Sequence, residues 1–403
     1  MTSSLLIAGF IAQGFLIQNV TVYVGNGDTK THVDVLIEND KIKKVKSGLT
    51  AGKNDTIIDG QGKILTPGLM ETISQLGLVE VLLEDHTREY ESGAKPFAPD
   101  FDVRKGFDAK SSRLAIERAE GVTHIITSPT GGIISGQGAY VDLDGSWPKE
   151  QKGMFGSATQ GGAAVAGDTH TGVWQRLGWL FEDVKRYEKN ASFFEKGHFD
   201  QLRFRREVIL GMLPVLKRKV PLMMRAANER DIRNLIDLKQ NQNIDVWIIG
   251  GAESWLVADA LVKADIPVII TPSHQRPTSF EQLHARDDLP GLLAKAGVKL
   301  VLSSSSWDQN ARRLRQEGGL AVREGMPFQK ALSAMTSVPA QLLGLNHLGL
   351  VKPGLQANLV LWDGDPFELS TIISGIWIKG KQQSLESRQD ALYERYKAQK
   401  PKN

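Results

Sequence analysis

The sequence predicts an α/β protein: a (β/α)8 TIM-like barrel with a small β-sandwich built from both chain ends. Three observations predict it. The first stretch alternates apolar and polar residues with a period of two, as half-buried antiparallel strands do. From Lys63 onward, short apolar runs alternate with helix-like stretches, the pattern of a parallel sheet with crossover helices. After Leu350 the strand texture returns, so β segments flank the barrel on both sides. The expected partition is a composite sandwich of 14–66 plus 350–385, a barrel of 67–349, and a C-terminal helix or tail of 386–403.

Each element has its own reason. Residues 15–23 are rich in β-branched and aromatic types and stop at Gly25-Asn26-Gly27-Asp28, a turn. Residues 33–37 and 41–45 flank Glu38-Asn39-Asp40 as a meander, and 57–62 are a further strand and turn. Buried parallel strands are expected at 121–127, 221–225, 246–250, 267–271 and 299–302. Helices are expected after Asn228, which is placed to cap one with Ile232, Leu235 and Ile236 on its inner face. Further helices are expected near 253–264, 289–296 and across 308–345. The glycine-rich run 131–138 reads as tight turns near the barrel mouth. It has no Gly-Lys-Ser ending and no dinucleotide fingerprint. The small-residue run 161–168 reads either as a mobile loop over the mouth or as a disordered segment. Residues 357–362 and 373–381 are strands again, and 387–400 read as a polar terminal helix.

Composition excludes several functions. With 403 residues the chain can bury a large core. Its formal charge of +3, with no long basic run, argues against nucleic acid as the main partner. Cysteine is absent, which excludes disulfides, thiolate metal sites and a cysteine nucleophile. No stretch reads as a membrane span. The short apolar run 5–12 is expected to be an ordinary N-terminal segment, in keeping with a cytoplasmic protein. Read instead as the remnant of a signal peptide, it would imply the periplasm.

Three segments carry a family resemblance. They are Ile58-Asp59-Gly60-Gln61-Gly62-Lys63-Ile64-Leu65-Thr66-Pro67-Gly68-Leu69-Met70-Glu71, Ala334-Met335-Thr336-Ser337-Val338-Pro339-Ala340-Gln341-Leu342-Leu343-Gly344-Leu345, and Gly349-Leu350-Val351-Lys352-Pro353-Gly354-Leu355-Gln356-Ala357-Asn358-Leu359-Val360-Leu361-Trp362-Asp363. Together they resemble the amidohydrolase superfamily, in particular its imidazolonepropionase-like and dihydroorotase-like branches. The resemblance implies hydrolysis of carbon–nitrogen bonds of the non-peptide, amide or cyclic amide kind. It also implies a divalent metal that lowers the pKa of a bound water. The metal's ligands are expected at the C-terminal ends of the barrel strands: a His-x-His pair after the first, histidines after the fifth and sixth, and an aspartate after the eighth.

On this sequence the implied ligand positions fall on Ile73 and Gln75, then Arg225, Gly250 and Ser305. Ile, Gly and Arg are not zinc ligands, and Gln and Ser are poor ones. No catalytic zinc or other cofactor is therefore expected, and the expectation is a metal-free, catalytically degenerate relative. The alternatives are an active C–N hydrolase with an unusual site, a non-catalytic partner subunit and a ligand-binding barrel. None of the eight histidines is spaced i, i+2 or i, i+4 from another. The serine run 303–306 lacks a Gly-x-Ser-x-Gly elbow.

Arg225 ends a buried strand, where a cation needs a carboxylate or an anionic ligand. Glu71 and Glu253 are the expected partners. The competing reading has Arg225 forking a substrate carboxylate, with Gln75, His274 and Ser305 beside it. The expected associations are a small anionic ligand, further copies of the chain, or an active relative.

Overall fold

The computed structural model describes residues 14–93, 95–159, 169–304 and 310–397. The apolar run 5–12, the small-residue run 161–168 and Ser305 lie outside the described residues. In chain order the first strands are β1 (Phe15–Tyr23), β2 (Thr29–Glu38), β3 (Lys41–Lys46), β4 (Thr56–Asp59) and β5 (Ile64–Pro67). Next come β6 (Leu69–Ser74), β7 (Val122–Thr127), β8 (Ile134–Asp142), β9 (Glu150–Ser157), β10 (Leu222–Ala226), β11 (Val246–Gly250), β12 (Val268–Ile270) and β13 (Leu300–Leu302). The last are β14 (Leu359–Trp362), β15 (Ile373–Ile378) and β16 (Lys381–Gln382).

Two eight-stranded sheets result. One runs β16-β15-β14-β5-β1-β2-β3, with β4 also paired to β1, so strands from both chain ends share it. It is one continuous hydrogen-bonded sheet, where a two-layered sandwich was expected. It curls around a single core: the rings of Phe15 and Trp377, from strands that are not neighbours, stack with centroids 5.1 Å apart. Val35, Leu65, Leu359 and Leu361 belong to the same apolar cluster.

The other sheet is a nearly closed barrel in the order β6 to β13. It departs from the expected (β/α)8 plan in one place. β8 runs antiparallel to both β7 and β9, without crossover helices there. The glycine run expected as a loop is thus largely strand. Gly136 has φ +136, and a Cβ on Gly138 would lie 2.3 Å from the Phe155 ring. These glycines let neighbouring chain approach closely, which in sequence looks like a turn.

The remaining strands show why they read as continuous apolar runs. In β10 Leu222, Met224 and Ala226 pack outward toward the helices, while Met223 faces the barrel interior. In β11, β12 and β13 Val246, Ile248, Val268, Ile270, Leu300 and Leu302 face outward, and Trp247, Ile249, Ile269 and Val301 face inward. Both faces are covered, so both parities are apolar. Arg225 shares the inward parity of Met223.

The two sheets meet at Gly68. Its N–H donates to the Asn358 carbonyl at 2.9 Å. A Cβ there would sit 2.1 Å from Thr123 Oγ1, so only glycine allows the chain to pass from β5 into β6. The barrel seam lies between β6 and β13, and it is bridged rather than paired. Met70 N–H donates to Met335 O at 2.8 Å, and Leu302 N–H donates to Ala334 O at 3.0 Å. The 334–335 backbone satisfies edge groups that direct strand pairing would otherwise have satisfied.

Candidate functional site

The C-terminal ends of the parallel barrel strands form one rim, the face where this architecture places chemistry. Six of the sequence candidates lie on the chain segments that build it: Glu71 and Ile73 in β6, Gln75 just beyond, Arg225 in β10, Gly250 ending β11, and Glu253 after it. Ser305 lies outside the described residues. His274 follows β12 in a 3-10 turn and is exposed.

Ile73 does not present itself to the rim. It is 5% exposed and packs in the interior apolar cluster with Ile126, Met223, Trp247 and Ile249. Gln75 is buried, and its Oε1 has no hydrogen-bond partner among the described residues. Gly250 has φ +94, a backbone conformation that side-chain-bearing residues rarely adopt. Arg225 lies in register with Ser157 of β9 and Ile249 of β11. Burial pushes its guanidinium down to about 10, which leaves it cationic at neutral pH.

The two expected partners of Arg225 are engaged elsewhere, which corrects that expectation. Glu71 is fully buried. Its Oε1 accepts from Ile73 N–H at 3.0 Å and from the Ser303 hydroxyl. Its Oε2 accepts from Ser304 N–H at 2.7 Å and the Ser304 hydroxyl at 2.6 Å. This carboxylate therefore straddles the barrel seam, tying β6 to the residues that follow β13. Burial raises its pKa in spite of the donors around it. Ser303 and Ser304 are thus the other half of a structural clamp, where sequence offered only an unsupported nucleophile.

Glu253 accepts from Glu229 N–H at 2.9 Å and from His284 N–H at 3.1 Å, and its Oε1 lies 2.9 Å from His284 Nδ1. Burial alone would raise this carboxyl, but these bonds hold it below the usual range. It anchors the start of the helix Glu229–Gln242, which Asn228 caps as expected by accepting from Asp231 N–H at 2.9 Å.

His170, one of the eight histidines, opens the helix His170–Lys189. His170 Nδ1 lies 3.1 Å from Asp231 and Nε2 lies 3.2 Å from Glu281, so one imidazole spans two carboxylates. These residues are far apart in sequence, and no local spacing signals the contact. His124 is also structural: it is fully buried in β7, bonded to Thr123, and burial lowers its pKa to about 4.

Among the described residues, no three His, Asp or Glu side chains group to hold a metal ion. The strand-end residues do not fit a divalent cation either. Ile73 sits in hydrocarbon, Gly250 offers no side chain and Arg225 adds positive charge.

The sequence profile of the Amidohydrolase family matches residues 283–385. Amidohydrolase tasK of Hapsidospora irregularis is similar to this chain, at 22% identity over 396 residues. That match covers 87% of this chain but only 40% of the relative, so the chain spans less than half of that protein's length. An amidohydrolase structure from Thermotoga maritima is similar with a TM-score of 0.82 at 24% identity, covering 91% of this chain and 99% of that one. A prolidase solved with N-methylphosphonate-L-proline has a TM-score of 0.59 at 15% identity, covering 92% and 99%. At these identities the structures speak for the fold. Residues 283–385 match the Amidohydrolase family profile, and the chain's fold is similar to that of the Thermotoga maritima amidohydrolase structure.

Proposed function

We propose that this chain is a hydrolase-like member of the amidohydrolase fold in which metal-dependent hydrolysis of carbon–nitrogen bonds has been lost. The observation that carries the reading is the fate of the strand ends. Where the resemblance calls for imidazoles, the chain has an isoleucine in the apolar interior, a glycine at φ +94 and a half-buried arginine. A hydrocarbon wall and a fixed cation oppose a divalent ion twice over, through missing donors and through repulsion. The family match and the hydrolase relatives support the hydrolase-like part of the reading; the donor set supports the loss.

The test is elemental analysis of the full chain purified without added metal, with assays on cyclic amides, N-acyl amino acids and dipeptides, with and without zinc. The expected result is well below one equivalent of zinc, iron or manganese, and no turnover above background. The double variant Ile73→His/Gln75→His should remain inactive, because Arg225 still opposes the ion. One equivalent of metal retained through chelator dialysis, or zinc-dependent turnover by the unmodified chain, overturns the reading.

A further inference from the structure

At the opposite end of the barrel, where the parallel strands begin, lies a cavity of about 560 Å³. The residues that lead into β10, β11, β12 and β13 form its walls, and Leu342 and Leu343 cover one side. Trp247, on the inward face of β11, also lines it. Five basic side chains line it: Lys152, Arg218, Lys219, Lys239 and Lys299.

Only two acids share the lining, and each is already matched. Asp245 takes Arg218 through two contacts, at 2.8 and 3.2 Å. Asp265 takes Lys299 at 2.6 Å. Lys152 pairs with Glu150 at 3.1 Å. That leaves two ammonium groups in surplus. Among the described residues Lys239 donates to the neutral Asp265 carbonyl, at 3.0 Å, and Lys219 is exposed. Burial lowers the pKa of Lys239, although Asp245 and Asp265 nearby act to raise it.

The backbone adds an independent observation. Arg218 and Asp265 both have positive φ, 53 and 51, just after the helices Arg206–Leu216 and Ala258–Lys263. Glycine is the low-cost residue at such helix ends, and Gly297 fills the same place after Leu289–Ala296. At Arg218 the chain keeps a long cationic side chain in this conformation, and it lines the cavity; Asp265, a residue type that tolerates the left-handed region, holds Lys299 there.

We propose that this cavity binds a small phosphate-bearing dianion, at a site separate from the barrel mouth. The surplus of two positive charges sets the ligand's charge, and several ammonium donors around one space suit phosphate oxygens. This face of a barrel ordinarily serves stability rather than chemistry, so the ligand would act as a stabiliser and not as a substrate.

The test is calorimetric titration of the full chain with inorganic phosphate in mildly alkaline buffer of low ionic strength, where phosphate is mainly the dianion, alongside melting curves. Saturable one-to-one binding and a raised melting temperature are expected. Lys219→Gln and Lys239→Gln should each weaken binding about tenfold, the loss of one charge-assisted contact. Arg225→Gln, at the other end of the barrel, should leave it unchanged. Lys219 is exposed, so its variant keeps the fold even if Lys239→Gln does not. Absence of saturable binding, binding undiminished in Lys219→Gln, or binding lost in Arg225→Gln overturns the proposal.

Discussion

A carboxylate sealed from water is costly unless its oxygens are occupied, and Glu71 shows how completely they can be. Four donors converge on it from both sides of the barrel seam. Replacing it with alanine leaves two hydroxyls and two backbone N–H groups without their acceptor in a dry site. Glu71→Ala should therefore lose roughly 3–5 kcal/mol of stability, and Glu71→Gln, which keeps one acceptor oxygen, should lose less. Denaturant unfolding measures both. An alanine variant within about 1 kcal/mol of the parent would show that the 334–335 backbone holds the seam without help. Sequence placed Glu71 at the end of the first barrel strand but not its bonds, because its partners lie more than 230 positions away. Contacts of that span leave no periodic trace.

Between elements, a second buried acid makes a joint that pH should reveal. Glu117, on the helix Ser112–Ala119, accepts from Arg312 N–H at 2.5 Å and pairs with its guanidinium at 3.1 Å. Arg312 is half exposed, and the ion pair does not offset burial: the carboxyl is pushed up to about 7. The folded state thus binds a proton more tightly here than the unfolded chain. The stability from this proton is full below about pH 4.5 and is lost as pH rises toward 7. Glu117→Gln removes the titration. The difference in melting temperature between variant and parent should shift in the variant's favour from pH 4.5 to 7.5, reaching ~3 kcal/mol of relative stability. A difference that moves the other way would mean that Arg312 dominates the site. Elements were more legible than such joints. β1 and the helix Leu289–Ala296 fall where residue types and spacing put them. β8 was hidden because its glycines serve close packing against Phe101 and Phe155, and glycine in sequence signals turns first.

For the whole molecule, the shared sheet ties the two chain ends together. β14 pairs with β5 on one side and β15 on the other. Trp362 is fully buried, packs in the barrel's outer core and donates its indole N–H to Thr66 Oγ1 at 2.9 Å. Trp377 stacks on Phe15 near the start of the described chain. Removing everything after Leu350 takes away Leu359, Val360, Leu361, Trp362, Ile376, Trp377 and Ile378, each at most 2% exposed. Buried side chains of this size contribute about 1.5–3 kcal/mol apiece, so their sum approaches or exceeds the roughly 5–15 kcal/mol that holds an ordinary domain together. The deletion also strips β5 of its β14 partner while β1 remains, leaving an apolar edge that invites pairing with other chains. A chain ending at Leu350 should therefore aggregate or lack a cooperative melt, as size-exclusion chromatography and circular dichroism would show. A monomeric truncation with a sharp transition would mean that β1 to β5 complete a stable sheet alone, so that the C-terminal strands cover a surface that can stand without them.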